Sequence, residues 1–93
     1  MAELVNDPQV PGWEVTADGL HREVSFADFN EAFGFMVRVA LVAETLNHHP
    51  DWSNSWNTVT IDIEDHDAGG ISELCVELTT KINVILASSP APS

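Results

Sequence analysis

The sequence predicts an α+β fold of two layers, an antiparallel sheet of about four strands with helices packed on one face. Three observations predict it. Asp18-Gly19 separates two short alternating segments, as in a hairpin. Residues 57–64 alternate apolar and polar without a break, as a strand covered on one side does. Two longer segments carry apolar residues at three- and four-residue spacing, the period of amphipathic helices.

In chain order, residues 1–12 carry Pro8, Pro11 and Gly12 without a clear period and read as an ordered arm or a short helix. Trp13-Glu14-Val15 alternates, and Leu20-His21-Arg22-Glu23-Val24 returns beside it, with Asp18-Gly19 accepting positive φ in the turn. Ser25 reads as the cap of the first helix, with Asp28 favourable in its first turn. Phe29, Ala32, Phe33, Met36, Val37, Ala40 and Leu41 form the predicted core stripe, which continues to Glu44 and His48. Phe35, Val39, Val42 and Leu46 lie off that stripe. A surface helix needs one apolar face, so this second row predicts contact with another subunit or a protein partner.

Pro50 stops the helix near His49. In the next strand Val59, Ile61 and Ile63 face the core while Thr58, Thr60, Asp62 and Glu64 face out. Asp65 to Gly70 is a turn-rich loop, and a further short strand near Gly69 to Ile71 completes the order β-β-α-β-β-α. Ser72 reads as the cap of a last helix through about Ala87, with Ile71, Leu74, Cys75, Leu78, Ile82 and Ile85 buried. The whole chain, 1–93, makes one domain with one modest core. Residues 1–12 are its arm and 88–93 a flexible tail.

Hydrophobic residues make up 44% of the chain, which argues for a globular fold. The formal charge is -12, and Arg22, Arg38 and Lys81 are the permanent cations. Duplex DNA and anionic membrane surfaces attract clustered Lys and Arg, so direct binding to either is disfavoured. No apolar stretch is long enough to span a bilayer. The single cysteine, Cys75, excludes an internal disulfide framework and a cysteine-based zinc finger. With no signal-peptide pattern at the N-terminus, the expected compartment is the cytoplasm.

Chemistry concentrates in Glu44-Thr45-Leu46-Asn47-His48-His49-Pro50-Asp51-Trp52, with His66 as a distant partner where a strand ends. On a continuous helix, Glu44 and His48 lie one turn apart on one face, and both the carboxylate and the helix C-terminus favour imidazolium. Phosphate-cradling and dinucleotide-binding glycine loops are missing, as are paired cysteines and His-Glu-x-x-His. A metal site on Glu44, His48 and His66 would use a known ligand set, but adjacent histidines before a proline lack the usual ligand spacing. Cys75 lies on an apolar stripe, where cysteine behaves as a small hydrophobe. Metal-free proton transfer by His48, His49 and His66, with Glu44 tuning one of them, is the stronger reading. It suits reversible loss or addition of water. Trp52 would offer an apolar wall to a flat heterocycle or serve the core.

From about Gly12-Trp13 to Ile85 the chain resembles the pterin-4a-carbinolamine dehydratases, also called 4a-hydroxytetrahydrobiopterin dehydratases. Glu44, His48-His49-Pro50, Trp52 or Trp56, and the later His66 carry the resemblance. The Phe29-to-Met36 run and the Asp67-Ala68-Gly69-Gly70-Ile71-Ser72 loop add to it. It implies removal of water from 4a-hydroxytetrahydropterin to give quinonoid dihydropterin, with no metal and no organic cofactor. It further implies His48 and His66 as acid-base groups, His49 as a binding or secondary catalytic group, Glu44 as an orienting carboxylate, and Pro50 and Trp52 beside the pterin. Similar proteins are homodimers or homotetramers, and some act as protein-binding modules: dimerisation partners of a homeodomain transcription factor, or assembly factors for a large carboxylating enzyme. Two departures stand out. Cys75 occupies a position that is commonly acidic in the family, with an expected structural cost of roughly 1 kcal/mol at the helix start. The chain also has fewer Lys and Arg than family members tend to carry, including near Thr58.

Overall fold

Strict alternation over 58–64 leaves that strand one way to bury its apolar side chains, and the sheet forms around it. A computed structural model describes residues 4–88. Its elements follow as β1 (Glu14–Val15), β2 (Gly19–Ser25), α1 (Phe29–Leu46), β3 (Asp51–Ser55), β4 (Thr58–Glu64) and α2 (Glu73–Ser88). This is the expected β-β-α-β-β-α order. The four strands form one sheet in the order β1-β2-β4-β3, with every neighbouring pair antiparallel. Val59, Ile61 and Ile63 are fully buried under the helices, and the intervening residues of β4 lie at the outer face. The expected tail beyond Ser88 falls outside the described residues.

The fourth strand is not the one predicted. It is Asp51–Ser55, whereas Asp65 and Gly70 form only an isolated bridge near the predicted position. Asp-Trp-Ser-Asn-Ser is poor in strand-forming residues, so its pairing with β4 comes from the turn between them. Trp56 takes a left-handed conformation there (φ 49), and the Asn54 side-chain amide donates to the carbonyls of Trp56 and Thr58 at 3.1 and 3.0 Å.

The hairpin between β1 and β2 forms as expected, for a different reason. Gly19 is not in the left-handed region; a Cβ there would meet the Ile63 carbonyl oxygen at 2.2 Å, so the glycine is required by the approach of β4. The Thr16 hydroxyl holds the turn by accepting from the amides of Asp18 and Gly19. In the arm, the described residues contain no helix. Val5 donates to the Ile71 carbonyl at 2.7 Å and Val10 is buried. The amide of Asn83, on α2, donates to the Pro11 carbonyl, while its oxygen accepts from Trp13 Nε1 and Arg22 Nη1 at 2.9 and 3.0 Å.

Helix α1 begins and turns differently from the prediction. Ser25 belongs to β2; the cap is Asp28, which accepts from the Glu31 amide at 2.9 Å while the Glu31 carboxylate accepts from the Ala27 amide. The buried stripe is Ala32, Phe35, Val39 and Ala43, flanked by half-buried Met36, Val42 and Leu46. Phe29, Phe33, Val37 and Leu41, placed in the core by the sequence reading, are 49, 52, 45 and 66% exposed. The buried face is rotated from the expected one: Ala32 and Met36 of the predicted stripe stay on it, Phe35 and Val39 join it, and Ala40 is exposed with the other four. Both faces satisfy helical spacing, and shape decides between them: Ala32 and Ala43 let the helix approach its neighbours, and the Phe35 ring packs 5.0 Å from that of Phe26.

On α2, Cys75, Leu78 and Ile82 are buried as expected, joined by Thr79. Among the described residues, no helix is long and apolar enough to cross a membrane.

The rotated face is tested by urea unfolding. Phe35→Ala is expected to cost about 3–5 kcal/mol at any chain concentration. A loss on Phe33→Ala should be less than about 1 kcal/mol in dilute protein and grow only where copies associate. Equal, concentration-independent losses would return Phe33 to the core.

Candidate active site

The end of α1 positions the paired histidines. Asn47 adopts left-handed geometry (φ 51, ψ 41), which its short polar side chain tolerates, and its amide turns back to the carbonyls of Ala43 and Glu44. The His48 amide donates to the Ala43 carbonyl at 3.1 Å, completing the stop. The helix therefore ends at Leu46, before Pro50 can act, and His48 lies outside its last turn. This overturns the expected one-turn stacking of Glu44 on His48. Glu44 instead pairs with His49, Oε1 to Nε2 at 2.8 Å, at an exposed rim.

His66 arrives from the other side, in the turn after β4. Its Nε2 lies 3.6 Å from a Glu64 oxygen and 3.9 Å from an Asp51 oxygen, and its ring is exposed. Those three side chains bring ligand-type atoms within 4.8 Å of one another. Glu44 and His48, considered with His66 as a metal set from sequence, are not in that group.

Asp65 organises the loop. Its carboxylate accepts from the Ala68 amide at 3.0 Å, its carbonyl accepts from the Gly69 amide at 2.9 Å, and Gly69 takes positive φ (78) to close the turn. The Ser72 hydroxyl holds the Asp65 carboxyl below its ordinary value, helped next by the Ala68 amide; burial opposes them, and the charge of His48 adds a smaller lowering.

Asn47, His48, His49, Glu64, Asp65, His66 and Asp67 line one open hollow of ≈ 270 Å³. The structure thus brings the three predicted histidines together from two loops. Glu44, Pro50 and Trp52 do not line this hollow. Trp52 stands opposite Ile61 in the sheet, is half-buried and packs against the core; Trp56 is 64% exposed at the far end of β3.

The sequence reading missed three groups. Asp65 and Asp67 flank His66, and that adjacency was their signal. Cys75, read as a core residue, is fully buried but places its sulfur 3.4 Å from His48 Nε2. Its signal was its position three residues after the Ser72 cap, at a helix end rather than mid-stripe. Ser72 keeps that cap without an acidic residue at position 75, its oxygen accepting from the Cys75 amide at 3.4 Å.

The profile of the family described as "Pterin 4 alpha carbinolamine dehydratase" matches residues 1–85. A protein of Synechococcus sp. (strain WH7803) is 50% identical over 76 residues, covering 82% of each chain. One of Solibacter usitatus (strain Ellin6076) is 51% identical over 75 residues, covering 81% of this chain and 79% of its own. Both are named "Putative pterin-4-alpha-carbinolamine dehydratase". A crystal structure described as a transcriptional coactivator/pterin dehydratase from Brucella melitensis superposes with a TM-score of 0.78 at 38% identity, covering 82% of this chain and 83% of that one.

The lowered Asp65 value carries a pH signature. A folded-state value below the unfolded one contributes stability that is fully present above the ordinary 3.8 and is lost as pH falls through the lowered value. Asp65→Asn is expected to be about 1 kcal/mol less stable than wild type at neutral pH, with the gap closing in acid. Urea titrations of both proteins at falling pH check this, and a gap unchanged into strong acid would exclude an ionic role.

Proposed function

The chain belongs to the pterin 4 alpha carbinolamine dehydratase family, and on that premise we propose that it dehydrates 4a-hydroxytetrahydropterin to quinonoid dihydropterin, as a hydro-lyase of the 4a-hydroxytetrahydrobiopterin dehydratase type. The observation that carries this reading is the meeting of His48, His49 and His66 at one open hollow. Loss of the 4a-hydroxyl needs a proton delivered to the departing oxygen and a proton removed from the neighbouring ring nitrogen, so that the C–O bond breaks as a C=N bond forms. Two imidazoles that line one hollow can serve both ends. His48 and His66 are the acid-base pair in this proposal. His49, held by Glu44 at the rim, binds the substrate and supports the transfer. Pro50 sets the path of the chain behind His49; Trp52, packed against the core, does not line the hollow. The proposed setting is the cytoplasm, where a single thiol stays reduced.

The test is the dehydration rate of freshly generated 4a-hydroxytetrahydropterin, followed by absorbance. Wild type should exceed the uncatalysed rate, and His48→Ala and His66→Ala should each lose roughly 10²-fold or more. No acceleration by folded wild type would defeat the proposal.

A second reading has its own observation. Phe29, Phe33, Val37 and Leu41 form an exposed apolar row along α1, with the Phe29 and Phe33 rings 5.6 Å apart. In this reading the row joins copies into a homodimer or homotetramer, or receives a protein partner as a dimerisation cofactor or assembly factor would. The face therefore moves from Phe35, Val39, Val42 and Leu46 to the opposite row. Light scattering should find wild type oligomeric and the double variant Phe33→Asp, Leu41→Asp monomeric and folded. A monomeric wild type would remove self-association, and capture of a defined partner would then have to support the row.

A further inference from the structure

Cys75 is the third residue of α2 and is fully buried, yet its sulfur is not enclosed by apolar groups alone. Sγ lies 3.4 Å from His48 Nε2 and 3.5 Å from the Ser72 hydroxyl oxygen. Ser72 is itself fully buried, and its hydroxyl is the main influence holding the Asp65 carboxyl ionised. A carboxylate, a hydroxyl, a thiol and an imidazole therefore follow one another from the loop after β4, through the start of α2, to the turn after α1.

The protons along that line can be followed. The Ser72 oxygen already accepts from the Cys75 amide at 3.4 Å, and its own proton is drawn either to Asp65 or to Sγ. When the Ser72 hydroxyl donates to Sγ, the acceptor left for the thiol proton is His48 Nε2. An imidazole that accepts at Nε2 carries its proton at Nδ1, because the bond made by one ring nitrogen sets the state of the other.

We propose that Cys75 is a positioning residue for His48: its S–H donates to Nε2, fixes the ring orientation and holds neutral His48 in the Nδ1–H tautomer. The contact exists independently of the reaction; only its effect on rate rests on the dehydratase reading. His48 then presents Nδ1–H as its donor, which suits a hydrogen bond that orients the departing hydroxyl. His49 and His66, set by carboxylates at exposed positions, lack such a buried partner.

Long-range ¹H–¹⁵N correlation of histidine-labelled protein reads the tautomer directly, with His48→Gln assigning the signal. Neutral His48 in wild type should show the Nδ1–H pattern, and Cys75→Ala should show a mixture of tautomers. In the dehydration assay Cys75→Ala should lose about tenfold in kcat, the rate equivalent of one hydrogen bond, with KM within about twofold. Cys75→Ser, whose hydroxyl can donate to Nε2, should restore both the tautomer and the rate. A purely structural cysteine would move neither the tautomer nor the balance between kcat and KM. The Nε2–H pattern in wild type overturns the proposal even if Cys75→Ala does not fold, and so does an unchanged tautomer in a folded Cys75→Ala. A wild type without dehydratase activity would defeat the functional reading while leaving the spectrum to decide the role of Cys75.

Discussion

Burial of Val59, Ile61 and Ile63 on one face of β4 is the constraint from which the other elements take their places. A strand has a period of two, so burying these three sends Thr58, Thr60, Asp62 and Glu64 to the outer face. Pairing then transmits the choice. Trp52, opposite Ile61, turns inward, and Asp51, opposite Asp62, turns outward toward the side from which His66 is approached. Arg22, also opposite Ile61, turns inward and reaches Asn83 on α2. A slip of one residue would reverse all of these at once.

Charge makes the histidines distinctive. With a formal charge of -12 and three permanent cations, carboxylates are never far from an imidazole. His21 meets Asp62 at 2.7 Å, and that hydrogen bond raises the His21 value against the opposing effect of burial. His49 meets Glu44, and His66 meets Glu64 and Asp51. His48 differs, since its closest polar neighbour is a buried thiol and the Asp65 charge acts on it from further away. Three histidines with carboxylates at solvent-facing positions and one with a sulfur against the core are not chemically equivalent. Such inequality lets neighbouring imidazoles take different roles.

The hollow forms where two segments meet: the chain after the left-handed stop of α1 at Asn47, and the end of β4 with the Asp65 turn. Each is short and tied by backbone hydrogen bonds, so the side chains on them are held by rigid elements. The exposed row of α1, Phe29, Phe33, Val37 and Leu41, runs toward the same end, so the proposed association surface and the proposed reaction site share one helix.

Local pattern determined much of this protein by itself. The alternation of 58–64 has one solution, so both the strand and its buried face were legible in it. The run from Glu44 to Trp52, with His66, marked the candidate site through residue types a few positions apart. Where two local solutions were equal, sequence could not choose: both apolar rows of α1 satisfy a helical period, and packing of Phe35 on Phe26 decided between them. Where the signal was weak, as in Asp-Trp-Ser-Asn-Ser, pairing with β4 decided that a strand forms. Glu44 met His49 instead of His48 because Asn47 ended the helix first. Cys75 reached His48 across 27 residues only because α2 begins beside the end of α1. Period and composition act over a few residues, whereas faces and partners are set by contacts between segments that only the folded chain brings together.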